Sequence, residues 1–314
     1  MRMAETLFSQ LTKLGYRVSM GSVRHLSDLE QRIKGYYGNG SVDKQFYQER
    51  LSHFKFSPPD SLPEARSVIV IAVPQPQIRI IFTWKGKKLP CMIPPTYVTN
   101  RETDRQLENL LRKTLSPENY EVAPVLLPKK LLAVQSGLGY YGKNNICYVE
   151  GMGSFHQLAA FYTDLPSGES DWREPQLMNV SKNCSACLRN CPTGAISTDR
   201  FLLHAERCIT FHNERPGNFP DWIDPRWHNC LVGCLHCQSV CPEDKDFLDW
   251  IEEKEEFSEE ETTLLLEAKR SRRLPSSLLA KLEQLELVDY VDFLPRNLHV
   301  LFDKEEHSCG VHKF

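Results

Sequence analysis

Eight of the eleven cysteines in this 314-residue chain fall between Cys184 and Cys241. Six of them form two runs, Cys184-x2-Cys187-x3-Cys191-Pro192 and Cys234-x2-Cys237-x3-Cys241-Pro242. A 4Fe-4S cube needs a soft thiolate on each iron, and the run C-x2-C-x2-C-x3-C-P gives three thiolates to one cube and sends the fourth to a neighbour. Two such runs make two clusters with interleaved ligands. On this logic Cys191 joins Cys234 and Cys237 on one cube, while Cys241 joins Cys184 and Cys187 on the other. The pattern points to a protein that moves electrons.

Each cube still needs a fourth ligand. In the second run the regular position is Leu231, and Cys208 and Cys230 lie upstream as substitutes. In the first run the regular position is Ser181, whose oxygen is harder than thiolate and suits iron–sulfur clusters less well. That cube is Ser-ligated, held by three protein ligands, or completed by whichever of Cys208 and Cys230 is spare. Paired C-x2-C runs are also zinc-ribbon spacing, but zinc does not ask for the repeated Cys-x3-Cys-Pro extension. Disulfides are not expected, because Met1 to Phe8 has no apolar leader and cytosolic proteins rarely carry them. The expected location is therefore the cytoplasm. Cys91, Cys147 and Cys309 stand alone and read as buried or tail thiols. His204, His212, His228 and His236 flank cluster cysteines; imidazole can replace thiolate on iron, although a histidine beside a ligand usually hydrogen-bonds in the outer shell. His228 and His236 are the substitutes to watch if Ser181 does not bind.

A hydrophobic content of 41% supports a sizeable core, in two domains or in one with an insert. No apolar run approaches the roughly 20 residues needed to cross a bilayer, so no membrane association is expected. The formal charge of -3 and pI near 6.4 give no overall basic field for nucleic acid. The local patches Lys85-Gly86-Lys87-Lys88 and Lys269-Arg270-Ser271-Arg272-Arg273 read as solvated loops.

Along the chain, Leu7, Phe8, Leu11 and Leu14 recur at helical spacing and stop at Gly15. Residues 16 to 56 read as mainly helical. Val68 to Val73, rich in β-branched residues, predicts a buried strand covered on both faces. Ile78 to Trp84, Lys85-Gly86-Lys87 and Leu89 to Ile93 predict a hairpin. Leu107, Leu110, Leu111 and Leu115 mark a helix closed by Ser116-Pro117. The stretch Ser136-Gly137-Leu138-Gly139-Tyr140-Tyr141-Gly142-Lys143 is too glycine-rich for a regular element and lacks P-loop or Rossmann spacing. Leu158 to Tyr162 predicts a strand, and 166 to 183 a polar linker. Beyond Asp244 the chain reads as acidic and helical, with a capping box at Ser258-x-x-Glu261. Leu274-Pro275 and Leu294-Pro295 divide this tail into short helices.

Several motifs together resemble the epoxyqueuosine reductase-like, corrinoid-dependent reductase family, which includes reductive dehalogenases. They are Ser136 to Lys143, Gly153-Ser154-Phe155, Asp164-Leu165-Pro166, Cys184 to Ile196, Glu206-Arg207-Cys208-Ile209 and Gly233 to Pro242, in the family's order. His204 to Cys208 and Trp227 to Cys234 are most similar to family members described only as double 4Fe-4S cluster proteins. The resemblance implies an α+β fold: a nitroreductase-like corrinoid-type domain over 1–175, a double 4Fe-4S ferredoxin-like domain over 176–245 and a helical tail over 246–314. It implies that Cys208 completes the cube of Cys191, Cys234 and Cys237, leaving Ser181 or Cys230 for the cube of Cys184, Cys187 and Cys241. It also implies cobalamin, lined by Cys147, Leu158 and Thr210.

Where the family has an aspartate proton donor, this chain has Ala123, whose methyl group holds no transferable proton. The tail that helps the family enzyme hold tRNA is short and acidic here. Tyr140, Tyr141, Lys143 and Glu121 are the remaining candidate donors. The expected function is a corrinoid-dependent reductase of a small or medium substrate, fed by a ferredoxin or flavodoxin. An electron-transfer protein without substrate chemistry is the first alternative, and a tRNA-modifying reductase the second.

Overall fold

The β-branched run predicted as a buried strand lies at the centre of a four-stranded antiparallel sheet. It is described, with residues 2–168, 171–268 and 274–308 as a whole, by a computed structural model. Cys309 and the patch Lys269 to Arg273 lie outside the described residues. In chain order the helices are α1 (Arg2–Lys13), α2 (Leu26–Gly38), α3 (Lys44–Phe46), α4 (Asn100–Leu115), α5 (Lys129–Gln135) and α6 (Asn179–Asn183). They continue as α7 (Ala186–Asn190), α8 (Ile209–Asn213), α9 (Glu259–Leu266), α10 (Ser276–Gln284) and α11 (Leu294–Ser308). The strands are β1 (Arg17–Ser22), β2 (Ser67–Pro74), β3 (Gln77–Trp84), β4 (Lys87–Ile93), β5 (Val122–Pro124), β6 (Tyr140–Tyr141), β7 (Cys147–Tyr148), β8 (His156–Thr163) and β9 (Ile251–Phe257).

Two compact units share these elements, one comprising Met1–Gln75, Arg101–Ser185 and Ile196–Glu206, the other Pro76–Asn100, Ala186–Ala195 and Arg207–Phe314. In the first unit the sheet order is β1-β2-β8-β5. Ile69, Ile71 and Val73 point to one face, where Leu7 and Leu11 of α1 and Leu107, Leu111 and Leu115 of α4 cover them. Val68, Val70 and Ala72 point to the other, under Leu29 and Ile33 of α2 and Leu131 to Val134 of α5. Alternation along one strand thus feeds two apolar layers, as a doubly covered strand requires. Pro124 sits in the edge strand β5, where its missing N–H costs no ladder bond. The region expected to be mainly helical instead opens with β1: Val18 and Met20 alternate toward the apolar layer of α1, too short a period-2 signal to stand out.

In the second unit β4-β3-β9 form a sheet. The β3–β4 hairpin turns through Lys85 and Gly86, both with φ positive (50° and 70°), the pairing a type I′ turn needs. Its third strand, β9, runs parallel to β3 and corrects the helical reading of the acidic stretch after Asp244. Ile251-Glu252-Glu253-Lys254-Glu255-Glu256-Phe257 has little strand propensity. It pairs because Phe257 stacks on Phe82 (ring centroids 4.7 Å apart) and because Arg79 and Lys88 meet Glu253 and Glu256. Its exposed charges also guard an open sheet edge. Leu265, Leu278, Leu282, Leu294 and Leu298 of α9 to α11 close this core, and the Ser258–Glu261 capping box starts α9 as expected. No described helix is long and apolar enough to cross a membrane.

The glycine-rich stretch forms mostly loop, but its Tyr140–Tyr141 pair makes a two-residue strand with β7. A Cβ on Gly139 would lie 2.6 Å from Tyr148 O and 2.9 Å from Cys147 Sγ. Gly139→Ala is therefore expected to destabilise the fold by about 2 kcal/mol. Gly35→Ala, on the open surface of α2, should instead stabilise it by about 0.5–1 kcal/mol; urea midpoints read both. His156, 3% exposed at the start of β8, is held by burial at about 4 although the Gly153 backbone bonds it. The unfolded chain binds a proton there near pH 6.5, so this contribution is complete above that pH and is lost as pH falls toward 4. Its share between pH 7 and pH 5 is about 2 kcal/mol, and His156→Gln should flatten the unfolding free energy over that range by this amount.

Candidate metal centre

The four predicted ligands of one cube, Cys191, Cys208, Cys234 and Cys237, lie in the second unit on chain with little regular structure. Cys191 follows α7, and its carbonyl accepts the Gly194 N–H at 3.2 Å where Gly194 turns back at φ +61°. The Thr193 hydroxyl lies 3.5 Å from Cys191 Sγ. Cys208 is the N-cap of α8 and its carbonyl accepts the Phe211 N–H at 3.0 Å, while the polar groups of Thr210 and Phe211 favour its thiolate. Cys234 follows Gly233, whose φ of +69° and close approach to the Tyr97 ring (2.9 Å from an added Cβ) exclude a side chain there. The His236 N–H points at the Cys234 sulfur.

Cys191, Cys208 and Cys234 are close enough to repel one another as thiolates, and Cys230 acts on Cys234 in the same way. Cys237 in turn acts on Cys230, as does Cys91 of β4. Loss of water pushes the Cys208, Cys230 and Cys234 thiols above their ordinary value, while the N–H donors pull against it. A thiol in that balance keeps its proton until a cation displaces it, which is the state from which a metal cluster is loaded. Soft sulfurs held by backbone N–H donors on irregular chain are a donor set that fits a 4Fe-4S cube. Among the described residues no three His, Cys, Asp or Glu side chains converge as ligands of one ion. A cube does not require such a trio, since it spreads its thiolates over four irons.

The remaining predicted ligands divide between the units. Ser181, 5% exposed in α6, and Cys184, extended just after it, belong to the first; Cys187 of α7 and the buried Cys241 belong to the second. The flanking histidines each engage a neighbour: His228 Nδ1 meets Asn213 Oδ1 at 2.9 Å, His236 Nε2 meets Trp227 O at 2.8 Å, and His204 Nδ1 meets Glu206 at 3.2 Å. His212 packs edge-on against Trp222.

The candidate donors differ in what holds them. Lys143 Nζ donates to the carbonyl oxygens of Cys184 (2.9 Å) and Lys182 (3.4 Å), so its ammonium is committed to the chain entering the first cysteine run. Burial pushes the Tyr141 phenol far up, and it keeps its proton. Tyr140 is 40% exposed under the Arg173 guanidinium, 4.3 Å from its ring, and accepts a hydrogen bond from Arg173 at 3.2 Å. Glu121 is exposed beside β5. Ala123 itself pairs with Tyr162 and is buried in the layer under α2 and α5. Cys147 and the half-buried Leu158 share that layer. Cys147 is 2% exposed, and burial pushes its thiol up to about 12. Thr210 stands in the second unit, on the Cys208 sulfur. A cleft of about 510 Å³ opens in the first unit beside Arg17, Ser19, Ser136, Gly137 and Asp171, and none of the predicted site residues lines it. Sequence reasoning missed Asn213, Arg296 and Asn297, polar residues whose bonds lie among the cysteine-bearing loops. Nothing in their spacing marks them.

A 4Fe-4S double cluster binding domain matches residues 181–244. The epoxyqueuosine reductase of Pseudomonas aeruginosa is 33% identical over 115 residues, covering 35% of this chain and 30% of that protein. The epoxyqueuosine reductase of Escherichia coli is 28% identical over 204 residues, 59% of this chain and 50% of that protein. The chain thus spans half or less of the length of these curated relatives. The crystal structure of an epoxyqueuosine reductase with a tRNA-Tyr epoxyqueuosine-modified stem loop covers 96% of this chain and 81% of the solved one, at a TM-score of 0.67 and 21% identity. That likeness shows the fold. The sequence relatives, the shared fold and the matched domain make this chain a mixed α/β, iron–sulfur relative of epoxyqueuosine reductase.

Proposed function

We propose that the chain is a two-cluster iron–sulfur reductase related to epoxyqueuosine reductase. The observation that carries this reading is the grouping of Cys191, Cys208 and Cys234 inside a matched double-cluster segment. Cys191, Cys208, Cys234 and Cys237 hold one cube, with Cys230 as a neighbouring thiol. The spacing gives Cys184, Cys187 and Cys241 to the other, with Ser181 at its fourth position. Bound there, the clusters supply one-electron transfer.

The protein's own part is electrostatic and positional. The polar groups of Thr210 and His236 favour the Cys208 and Cys234 thiolates and, with a cluster bound, would favour its reduced, more negative state. Lys143 fixes the carbonyls of Lys182 and Cys184 and so orients the Cys184 thiolate. Tyr140 is the proton donor of this reading, being the exposed candidate and the one beside a cation. A ferredoxin or flavodoxin is the electron source, and the substrate is a small or medium molecule.

Cobalamin enters by resemblance, within a functional division into a nitroreductase-like corrinoid domain over 1–175, the cluster domain over 176–245 and the tail. Leu158 offers part of an apolar surface for a corrin, but Cys147 is sealed beneath the Gly139 backbone. These residues as they stand do not fit the cofactor, and the reading above uses the clusters alone. Ala123, buried among apolar side chains with no proton to give, favours the second reading: an electron-transfer protein that reduces a partner without substrate chemistry. A tRNA substrate, as the stem loop suggests for the solved relative, has the acidic charge balance against it.

Anaerobic reconstitution with iron and sulfide is expected to give about eight irons and eight sulfides per chain. Zinc without sulfide would overturn the cluster reading. Cys208→Ala should fall to about four irons while Cys230→Ala keeps about eight, and the reverse result would make Cys230 the fourth ligand. Added cobalamin is expected not to bind, and cobalt retained at one per chain would bring corrinoid chemistry back into the reading.

A further inference from the structure

The chain between Cys208 and Cys234 contains one five-residue helix and a single 3-10 turn, so most of its carbonyls have no partner within the segment. Buried carbonyls must find one elsewhere. Here they find it in α11. Asn297, 1% exposed in the first turn of that helix, donates both hydrogens of its amide nitrogen, to Asn213 O at 2.9 Å and to Leu231 O at 2.8 Å. Asn213, wholly buried, donates in turn to Gly233 O at 2.8 Å. That leaves Asn213 Oδ1 to accept from His228 Nδ1 at 2.9 Å, which assigns the His228 tautomer. Arg296 packs on Phe219 at 3.8 Å and donates to His212 O at 2.9 Å and Gly217 O at 2.5 Å. Lys304, two turns further on, donates to His228 O at 2.9 Å.

The ends of this network decide its meaning. Asn213 terminates α8, the helix whose first turn is capped by Cys208. Leu231 and Gly233 immediately precede Cys234. One buried amide therefore ties the arm that carries Cys208 to the arm that carries Cys234. The alternative, an apolar contact, would hold the arms together equally well but would not fix their register, because apolar packing is not directional. A buried network with its members satisfied specifies one arrangement. We propose that Asn297, acting through Asn213, is the positioning residue that sets the separation of Cys208 and Cys234 in the cluster site. This rests on the cluster reading above and deepens it, giving the tail the work of holding a metal site.

The test uses the full chain, reconstituted anaerobically with iron and sulfide. Asn297→Leu removes both donors at similar volume, and Asn297→Asp removes them while keeping the shape, so that one folded variant suffices. Leu282→Ala, in the same apolar core on α10, is the control for lost stability. The expected result is a twofold loss of iron in the Asn297 variants, or altered g-values and midpoint potential of one reduced cluster. Leu282→Ala, matched in thermal midpoint, keeps the wild-type iron content and spectrum. Wild-type iron and spectrum in both Asn297 variants would overturn the proposal, as would equal iron loss in Leu282→Ala. A wild-type chain that takes up no iron would instead bring down the cluster reading on which the proposal stands.

Discussion

A backbone carbonyl outside any helix or sheet must still be hydrogen-bonded if it is buried, and in this chain that requirement falls on the segment bearing the cysteines. Iron–sulfur ligation needs thiols that converge from several directions, which regular elements rarely deliver; the price is a long loop whose polar backbone has to be answered by side chains. Asn213, Asn297, Arg296 and Lys304 answer it in the second unit. On the first unit's side of the cysteine run, Lys143 does the same for Lys182 and Cys184. A glycine-rich stretch with no phosphate-binding spacing therefore has a structural use: it brings the Lys143 stem close and keeps Gly139 and Gly142 thin enough for β7 to pack on them.

The same loop sets the chemistry of its sulfurs. Burial alone would keep Cys208 and Cys234 protonated and inert, while N–H donors alone would leave them reactive thiolates. Together they hold a thiol that yields to a metal and resists much else. Cys208 is half-buried at the start of α8 and Cys230 is fully buried near Cys91, so the two differ in how readily a metal reaches them.

Much of this was legible in the residues. The spacing of the cysteines, the doubly covered strand at Val68 to Val73, the hairpin at Lys85-Gly86 and the Ser258–Glu261 cap all carry local periods or turn chemistry, and local signals survive in a sequence. What escaped depends on distant partners. The strand Ile251–Phe257 looks like a solvated acidic run until Phe82, Arg79 and Lys88 are set beside it. Arg17–Ser22 shows too few alternations to be told from the helices after it. Asn297 and Asn213 are eighty-four positions apart, and an asparagine has no pattern to announce that it is buried and bonded.

The parallel pairing of β3 with β9 has a consequence for how the protein is made. All four strands of the first sheet lie between Arg17 and Thr163, so that sheet is complete before any cysteine of the cluster runs has left the ribosome. The second sheet has its hairpin by Ile93 but lacks β9 until Phe257 has emerged, and the helix bearing Asn297 comes later still. Domains fold as their chain emerges, N-terminal first. During synthesis there is accordingly an interval in which all eight of these cysteines are outside the ribosome while the unit that will enclose most of them is still open.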